Sequence, residues 1–175
     1  MIKNPLIITE RLTISPLNLS DAQTIFQYRA LPEIYKFQSW LPISLHEVKN
    51  MILSSSEFGD WNVGQWRQLG IYLKNSGTII GDIGILWQED NKFEIGFTLA
   101  PAFQKAGYAF EAVSAVINYL KNFYKIEFLV ASTDPENLPS INLLKKLGFV
   151  KMKMLKNSIE IRGEWKDDLI FGLKF

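Results

Sequence analysis

The sequence predicts a mixed α/β fold (α+β mixed sheet), one central layer of β-sheet with helices on both faces. Two observations carry this. Between Trp66 and Leu99 three apolar, β-rich runs follow one another, separated by Asn75-Ser76-Gly77 and Glu89-Asp90-Asn91-Lys92, both of hairpin-turn composition. Soon after, Phe110, Val113, Ile117, Leu120 and Tyr124 recur at three- and four-residue steps, which is helical spacing. At 175 residues the chain is most simply one domain spanning 1–175, long enough to bury a core.

Taken in order, Leu6 to Leu17 reads as a first strand, with Leu12 and Ile14 alternating against Arg11 and Thr13. Ser20-Asp21-Ala22-Gln23 has capping-box spacing, so a helix follows through Arg29. Residues from Ala30 to Ile43 read as irregular, with Tyr35, Phe37 and Trp40 between Pro32 and Pro42. Loops of this length are uncommon and often functional, although these aromatics equally fit a lid packed on the core. Ser44-Leu45-His46-Glu47 is a second capping box, opening a helix with Val48, Met51 and Ile52 on one side. Glu57 to Gln65 is a loop containing Trp61. The strands Trp66 to Lys74, Thr78 to Gln88 and Phe93 to Leu99 follow. Gly81 and Gly84 inside the second suggest a bulge or a closely approaching ligand. After the central helix, Ile126 to Ser132 is a buried-looking strand. A short helix then runs to Leu147 and is stopped by Gly148. Val150 to Glu160 and Lys166 to Lys174 are final strands that pair across Arg162-Gly163. The order is β-α-α-β-β-β-α-β-α-β-β, without a repeat or linker.

Composition narrows the chemistry. Hydrophobic residues make up 47% and charged residues 21%, with a formal net charge of +1, as in ordinary globular proteins. Lys and Arg form no basic cluster, so a nucleic-acid partner is not expected. The absence of cysteine excludes a disulfide framework, a thiolate metal site and a cysteine nucleophile. The single histidine, His46, falls in the first turn of a predicted helix and reads as a capping or surface residue. A covalent triad therefore lacks support, and no His/Asp/Glu grouping has metal-ligand spacing. Residues 1–5 begin no apolar run of signal-peptide or membrane-span length, and the expected location is the cytoplasm, with no membrane partner.

The stretch from Pro101 to Ala112 joins the third strand to the central helix. Backbone N–H groups converge at such a helix start and suit an anion such as a pyrophosphate. Gly107 permits a positive φ and close approach, Ala106 and Ala109 are small, and Lys105 adds a cation; the same residues equally fit an ordinary strand-loop-helix junction with glycine for the turn.

The pattern Gln104-x-x-Gly107-x-Ala109 resembles the pyrophosphate loop of the GNAT superfamily of N-acetyltransferases. Glu94-Ile95-Gly96-Phe97 resembles the family's strand before that loop. Asn137-x-x-Ser140 with Leu143-Leu144-Lys145-Lys146-Leu147-Gly148-Phe149 resembles its later helix. The run from Thr9 to Leu17 resembles the opening of the branch that acetylates ribosomal-protein N-termini (RimJ/RimL-type). These matches lie in the family's order and span nearly the whole chain.

The resemblance implies the GNAT acyl-CoA N-acyltransferase fold, acetyl-CoA as co-substrate, no metal, and direct attack by a bound amine on the thioester. It implies that Gln104, Lys105, Ala106, Gly107, Tyr108 and Ala109 hold the pyrophosphate. The backbone of Phe97, Thr98 and Leu99 would hold the pantetheine arm, which Asn137 would also contact. Glu94 becomes a candidate base, directly or through water, and alternatively a solvent-facing strand residue. Many family members carry a tyrosine acid where this chain has Leu144, so Ser140 is the candidate acid, and it equally suits a helix cap. Phe37, Trp40 and Trp61 are candidates for the acceptor side. The acceptor itself stays open among a protein N-terminal amine, a polyamine, an amino acid and an antibiotic. Also open are a homodimer, a longer acyl group, and a non-catalytic acyl-CoA-binding or sensing module of the same fold.

Overall fold

The computed structural model describes residues 6–56, 62–89 and 92–175. Where one opening strand was expected there are two, β1 (Ile7–Ile8) and β2 (Leu12–Pro16), paired antiparallel. Thr9 causes the break. Its Oγ1 accepts from the Leu12 N–H at 3.0 Å, and its own N–H donates to the Leu12 carbonyl at 2.9 Å, closing a tight turn. The next helix is capped earlier than the Ser20 box implied. The Asn18 N–H donates to Asp21 Oδ2 at 2.7 Å, and a short helical turn, Leu19–Asp21, leads into α1 (Ala22–Arg29). The stretch expected to be irregular contains α2 (Pro32–Tyr35), started by proline at a first-turn position, where its missing N–H costs nothing. The second box is present. The Glu47 N–H donates to Ser44 Oγ at 3.3 Å and Glu47 Oε2 accepts from the Ile43 N–H at 3.0 Å, opening α3 (Leu45–Ser56).

The hairpin strands lie close to their expected bounds: β3 (Trp66–Leu73), β4 (Ile79–Trp87) and β5 (Phe93–Leu99). Ile71 faces Gly81 while Tyr72 faces Ile79, so Ile80 is the extra residue of a bulge beside Gly81. After α4 (Tyr108–Tyr124) come β6 (Phe128–Thr133), α5 (Leu138–Lys146), β7 (Val150–Ile161) and β8 (Glu164–Lys174). Strand β6 begins later than Ile126. Gly148 stops α5 with φ of +90°, and the Phe149 N–H reaches back to the Leu144 carbonyl at 3.0 Å.

Among the described residues the strands form one eight-stranded sheet in the order β1-β2-β3-β4-β5-β6-β8-β7. Neighbours are antiparallel except β5 and β6, which run parallel and share a ladder only at Phe93↔Leu129 and Glu94↔Val130. Helices cover both faces. Val113, Val116 and Leu120 of α4, with Ile141 and Leu144 of α5, pack on Leu69, Ile83, Ile95 and Leu129. On the other face Ile25 of α1 and Val48 and Ile52 of α3 pack against Tyr72 and Ile79.

Candidate active site

The short β5–β6 ladder opens the site. Beyond Glu94 and Val130 the two strands have no register partners in each other, so residues 95–99 run beside a gap. The Ala100 N–H donates to the Ile80 carbonyl at 2.9 Å, which fixes which way the strand's polar groups point. Backbone groups alternate along a strand, so residues 96 and 98 also face β4, whereas Phe97 and Leu99 turn theirs to the gap. Thr98 is the exception among the expected backbone contacts. Its carbonyl lies against Gly81, where an added Cβ would meet it at 2.3 Å.

At the end of β5 a helical turn, Pro101–Phe103, leads to the loop. Gln104 Nε2 donates to the Leu99 carbonyl at 2.9 Å, so this side chain braces the turn. Lys105 has φ of 64° and Gly107 φ of 83°. The first is a strained conformation for a side-chain-bearing residue, and the second is the freedom that glycine supplies. The first intrahelical bond runs from the Glu111 N–H to the Gly107 carbonyl at 3.1 Å, which leaves the N–H groups of Tyr108, Ala109 and Phe110 without an upstream helical acceptor. Arg11 clamps the loop from β2. Its Nε meets Glu111 Oε2 at 2.6 Å, its Nη1 donates to the Ala106 carbonyl at 3.0 Å, and the guanidinium lies 4.5 Å from the Tyr108 ring centre. Paired with Arg11 and bonded by Thr9, Glu111 is held below the usual carboxylate range against a desolvation cost that acts the other way.

A cleft of about 1330 Å³ connects this loop to the sheet face under α1–α3. It is lined by Phe97, Thr98, Leu99, Gln104, Lys105, Gly107, Tyr108 and Ala109, by Asn137 and Ser140, by Glu94, and by Phe37 and Trp40. Ala106 is exposed and does not line it. Trp61 lies outside the described residues. At α5 the cap is Asn137, whose Oδ1 accepts from the Ser140 N–H at 3.3 Å. The Ser140 hydroxyl therefore does not serve as the cap.

Glu94 is half-buried where the gap begins. Gln88 Nε2 donates to one carboxylate oxygen at 3.1 Å and the Ser132 hydroxyl to the other at 3.3 Å. Burial raises its pKa, the Ser132 bond opposes this, and the nearby charge of Asp168 adds to the rise. Burial likewise raises Asp168. Ser132 and Asp168 stand on β6 and β8, far from Glu94 in sequence.

The cleft floor adds residues that sequence reasoning missed. Gly84 and Gly96 face each other across β4 and β5. A Cβ at Gly84 would meet Trp66 Cε3 at 3.1 Å, and one at Gly96 would meet Trp66 Cη2 at 4.0 Å. The Trp66 indole thus lies across both glycines and is 43% exposed, toward the cleft it lines. The glycines were the available signal, because two in register on adjacent strands make room for a ring. Beside them Asp82, only 1% exposed, holds Arg29 through Nη2 at 2.5 Å and accepts the Tyr28 hydroxyl.

Comparisons with known proteins agree with this arrangement. Residues 11–150 match the acetyltransferase (GNAT) domain family. An uncharacterised N-acetyltransferase of Bacillus licheniformis is 32% identical over 168 residues, covering 94% of this chain and 93% of that protein. The ribosomal protein uS5-alanine N-acetyltransferase of Escherichia coli is 33% identical over 79 residues, covering 45% of this chain and 41% of that protein. A solved GNAT-family acetyltransferase from Bacillus anthracis has the same fold, with a TM-score of 0.85 at 22% identity, covering 97% of this chain and 98% of that one. With a braced loop at a helix start, strands that part beside it, and a family match over residues 11–150, this chain belongs to the GNAT acetyltransferases.

Proposed function

We propose that this GNAT N-acetyltransferase binds acetyl-CoA along β5 and the start of α4 and passes the acetyl group to a primary amine lying on the Trp66 side, both ligands being present together. The observation that carries the reading is the parting of β5 and β6 at Glu94 and Val130, because it puts a half-buried carboxylate where the cofactor gap meets the cleft.

The residues fit the co-substrate. Gly107 keeps the loop surface low, since a Cβ there would have only Arg11 Nη2 nearby, at 3.4 Å. The N–H groups of residues 108–110 and the Lys105 ammonium supply donors and positive charge for a pyrophosphate. The gap-facing backbone groups of Phe97 and Leu99 would take the pantetheine amides, and Asn137 and Ser140 close the other side. Acetyl-CoA supplies an activated acyl carbon and a thiol leaving group. Glu94 would take the proton that the amine must lose, and its raised pKa brings it nearer to the working range of a base. Ser140, its hydroxyl not used in capping, would donate toward the departing sulfur. Holding both reactants in one cleft supplies the remaining advantage through positioning.

Residues 1–175 act in this reading as one domain, working in the cytoplasm as monomer or homodimer. The acceptor is a protein N-terminal amine or a small amine; the E. coli relative acetylates an alanine of ribosomal protein uS5. The test is an acceptor panel with acetyl-CoA, containing N-terminal peptides, polyamines and amino acids, read by thiol release and by mass of the acetylated product. One amine consuming acetyl-CoA one-for-one is the expected result. Tight CoA binding with no release across the panel would return the protein to an acyl-CoA-binding module.

A further inference from the structure

The segment 36–40 carries Phe37 and Trp40, which share the acceptor side of the cleft with Trp66, and its central residue is bonded at both ends of its side chain. Gln38 Oε1 accepts from Arg29 Nη1 at 2.8 Å, and Gln38 Nε2 donates to Thr98 Oγ1 at 2.8 Å. Thr98 is on β5, between the two residues whose backbone faces the cofactor gap. Arg29 is itself immobilised by Asp82, and its guanidinium sits 5.1 Å from the Trp40 ring centre. A continuous path therefore runs from the cofactor strand through Gln38 and Arg29 to the acceptor wall. The main chain of the segment is held separately, by Arg162 Nη1 on the Tyr35 carbonyl at 2.9 Å and on the Gln38 carbonyl at 3.2 Å.

We propose that Gln38 is a positioning residue that ties the acceptor wall to the strand carrying the acetyl donor, so that occupancy of the cofactor gap sets the order of segment 36–40. The proposal rests on the assignment of that gap to acetyl-CoA and of Trp40 to the acceptor side. It follows from the chemistry of the place: the residue accepts from a guanidinium on one side and meets a hydroxyl on the other. Leucine bonds to neither, whereas glutamate accepts from the guanidinium and from the hydroxyl, which can turn to donate. A merely structural residue would change stability. A positioning residue changes the acceptor side while leaving cofactor binding alone.

The experiment compares wild type with Gln38→Leu, Gln38→Glu and Thr98→Val in two measurements. In hydrogen exchange, adding CoA should slow the amides of residues 36–40 in wild type and should leave them unchanged in Gln38→Leu. In steady-state kinetics with the best primary amine of the panel, Gln38→Leu should raise the acceptor KM about tenfold while CoA affinity stays within about twofold, tenfold being the worth of a buried polar group left unpaired. Thr98→Val should raise the acceptor KM as well, although it sits on the cofactor strand. The double variant Gln38→Leu/Thr98→Val should be no worse than Gln38→Leu, because both remove the same bond. Gln38→Glu should stay close to wild type, because its carboxylate accepts both from Arg29 and from the Thr98 hydroxyl. If Gln38→Leu folds poorly, Thr98→Val carries the test, with Gln38→Glu as the variant that keeps both bonds. Exchange in 36–40 that ignores CoA in wild type, or effects of the two substitutions that simply add, would overturn the proposal. A wild type that turns over no amine sinks the functional reading instead, and the exchange measurement still decides this one.

Discussion

The two halves of the cleft are built by different means. The half proposed for the cofactor is mostly backbone: strand groups turned to a gap, N–H groups at the start of α4 without a helical acceptor, and a loop whose shape depends on Gly107 at φ of 83°. The half proposed for the acceptor is mostly side chains: Trp66 laid over two glycines, Trp40 beside Arg29, and Arg29, Asp82, Gln38 and Thr98 in one network. A backbone site recognises what every acetyl-CoA has in common. A side-chain site is redrawn by single substitutions, which suits a family whose donor is shared and whose acceptors differ. Glu94 lies at the boundary, and substitutions on either side of it should separate the halves.

The largest expected loss is at that boundary. Glu94→Gln keeps the size and removes the base, so kcat should fall by roughly 10²-fold, the lower end of what a positioned base contributes. The paired pH profile shows whether the loss comes from the base. Because the Glu94 pKa is raised, the acid limb of kcat/KM should lie above the ordinary carboxylate range in wild type and should vanish in Glu94→Gln. Asp168→Asn removes a like charge and should move that limb to lower pH. The same shift bears on stability. The native state binds this proton more tightly than the unfolded chain, so the contribution is present below the usual carboxylate range and is lost as pH rises through the raised value. Superimposable profiles for wild type and Glu94→Gln would make Glu94 a strand residue without a chemical role.

On the cofactor side, Gly107→Glu adds bulk, a side chain at positive φ, and a charge that opposes a pyrophosphate. CoA affinity by calorimetry should fall by well over tenfold, about 1.4 kcal/mol or more, with the melting transition still cooperative. Unchanged affinity would remove the loop from the site. On the acceptor side, Trp40→Ala removes an aromatic face and its contact with Arg29. The acceptor KM should rise about fivefold, on the order of 1 kcal/mol, with CoA affinity unmoved. Equal losses for both ligands would make Trp40 part of a lid packed on the core. The smallest effect belongs to Ser140→Ala. A serine hydroxyl is a weak acid that water can replace, so kcat should drop a few-fold, below the usual range for a general acid. A loss as large as that of Glu94→Gln would give Ser140 a larger part in the chemistry.

The same contrast explains what could be read before the fold was known. Hairpin strands, the Ser44–Glu47 cap, the Gly148 stop and the loop around Gly107 are set by residues a few positions apart, so their patterns survive in one dimension. The break at Thr9 was missed because it depends on a side chain closing a turn inside an otherwise alternating run. The α2 turn was hidden because Pro32, which brackets the stretch read as irregular, stands at a helix start. Glu94 was legible as a candidate through its motif, but Ser132 and Asp168 belong to strands brought beside it by the β5-β6-β8 order. Arg11, read as a polar residue of the first strand and as part of the Thr9–Leu17 resemblance, clamps a loop nearly a hundred positions away, and Arg162 pins segment 36–40 from the far end of the chain.

In the proposed reading, two separately built halves hold donor and amine together. Initial rates measured over a grid of acetyl-CoA and acceptor concentrations test it most directly, in wild type, Gly107→Glu and Trp40→Ala. Intersecting double-reciprocal lines are expected, with Gly107→Glu moving only the acetyl-CoA constant and Trp40→Ala only the acceptor constant. Parallel lines, the pattern of a covalent acetyl-enzyme, or variants that shift both constants together would contradict it.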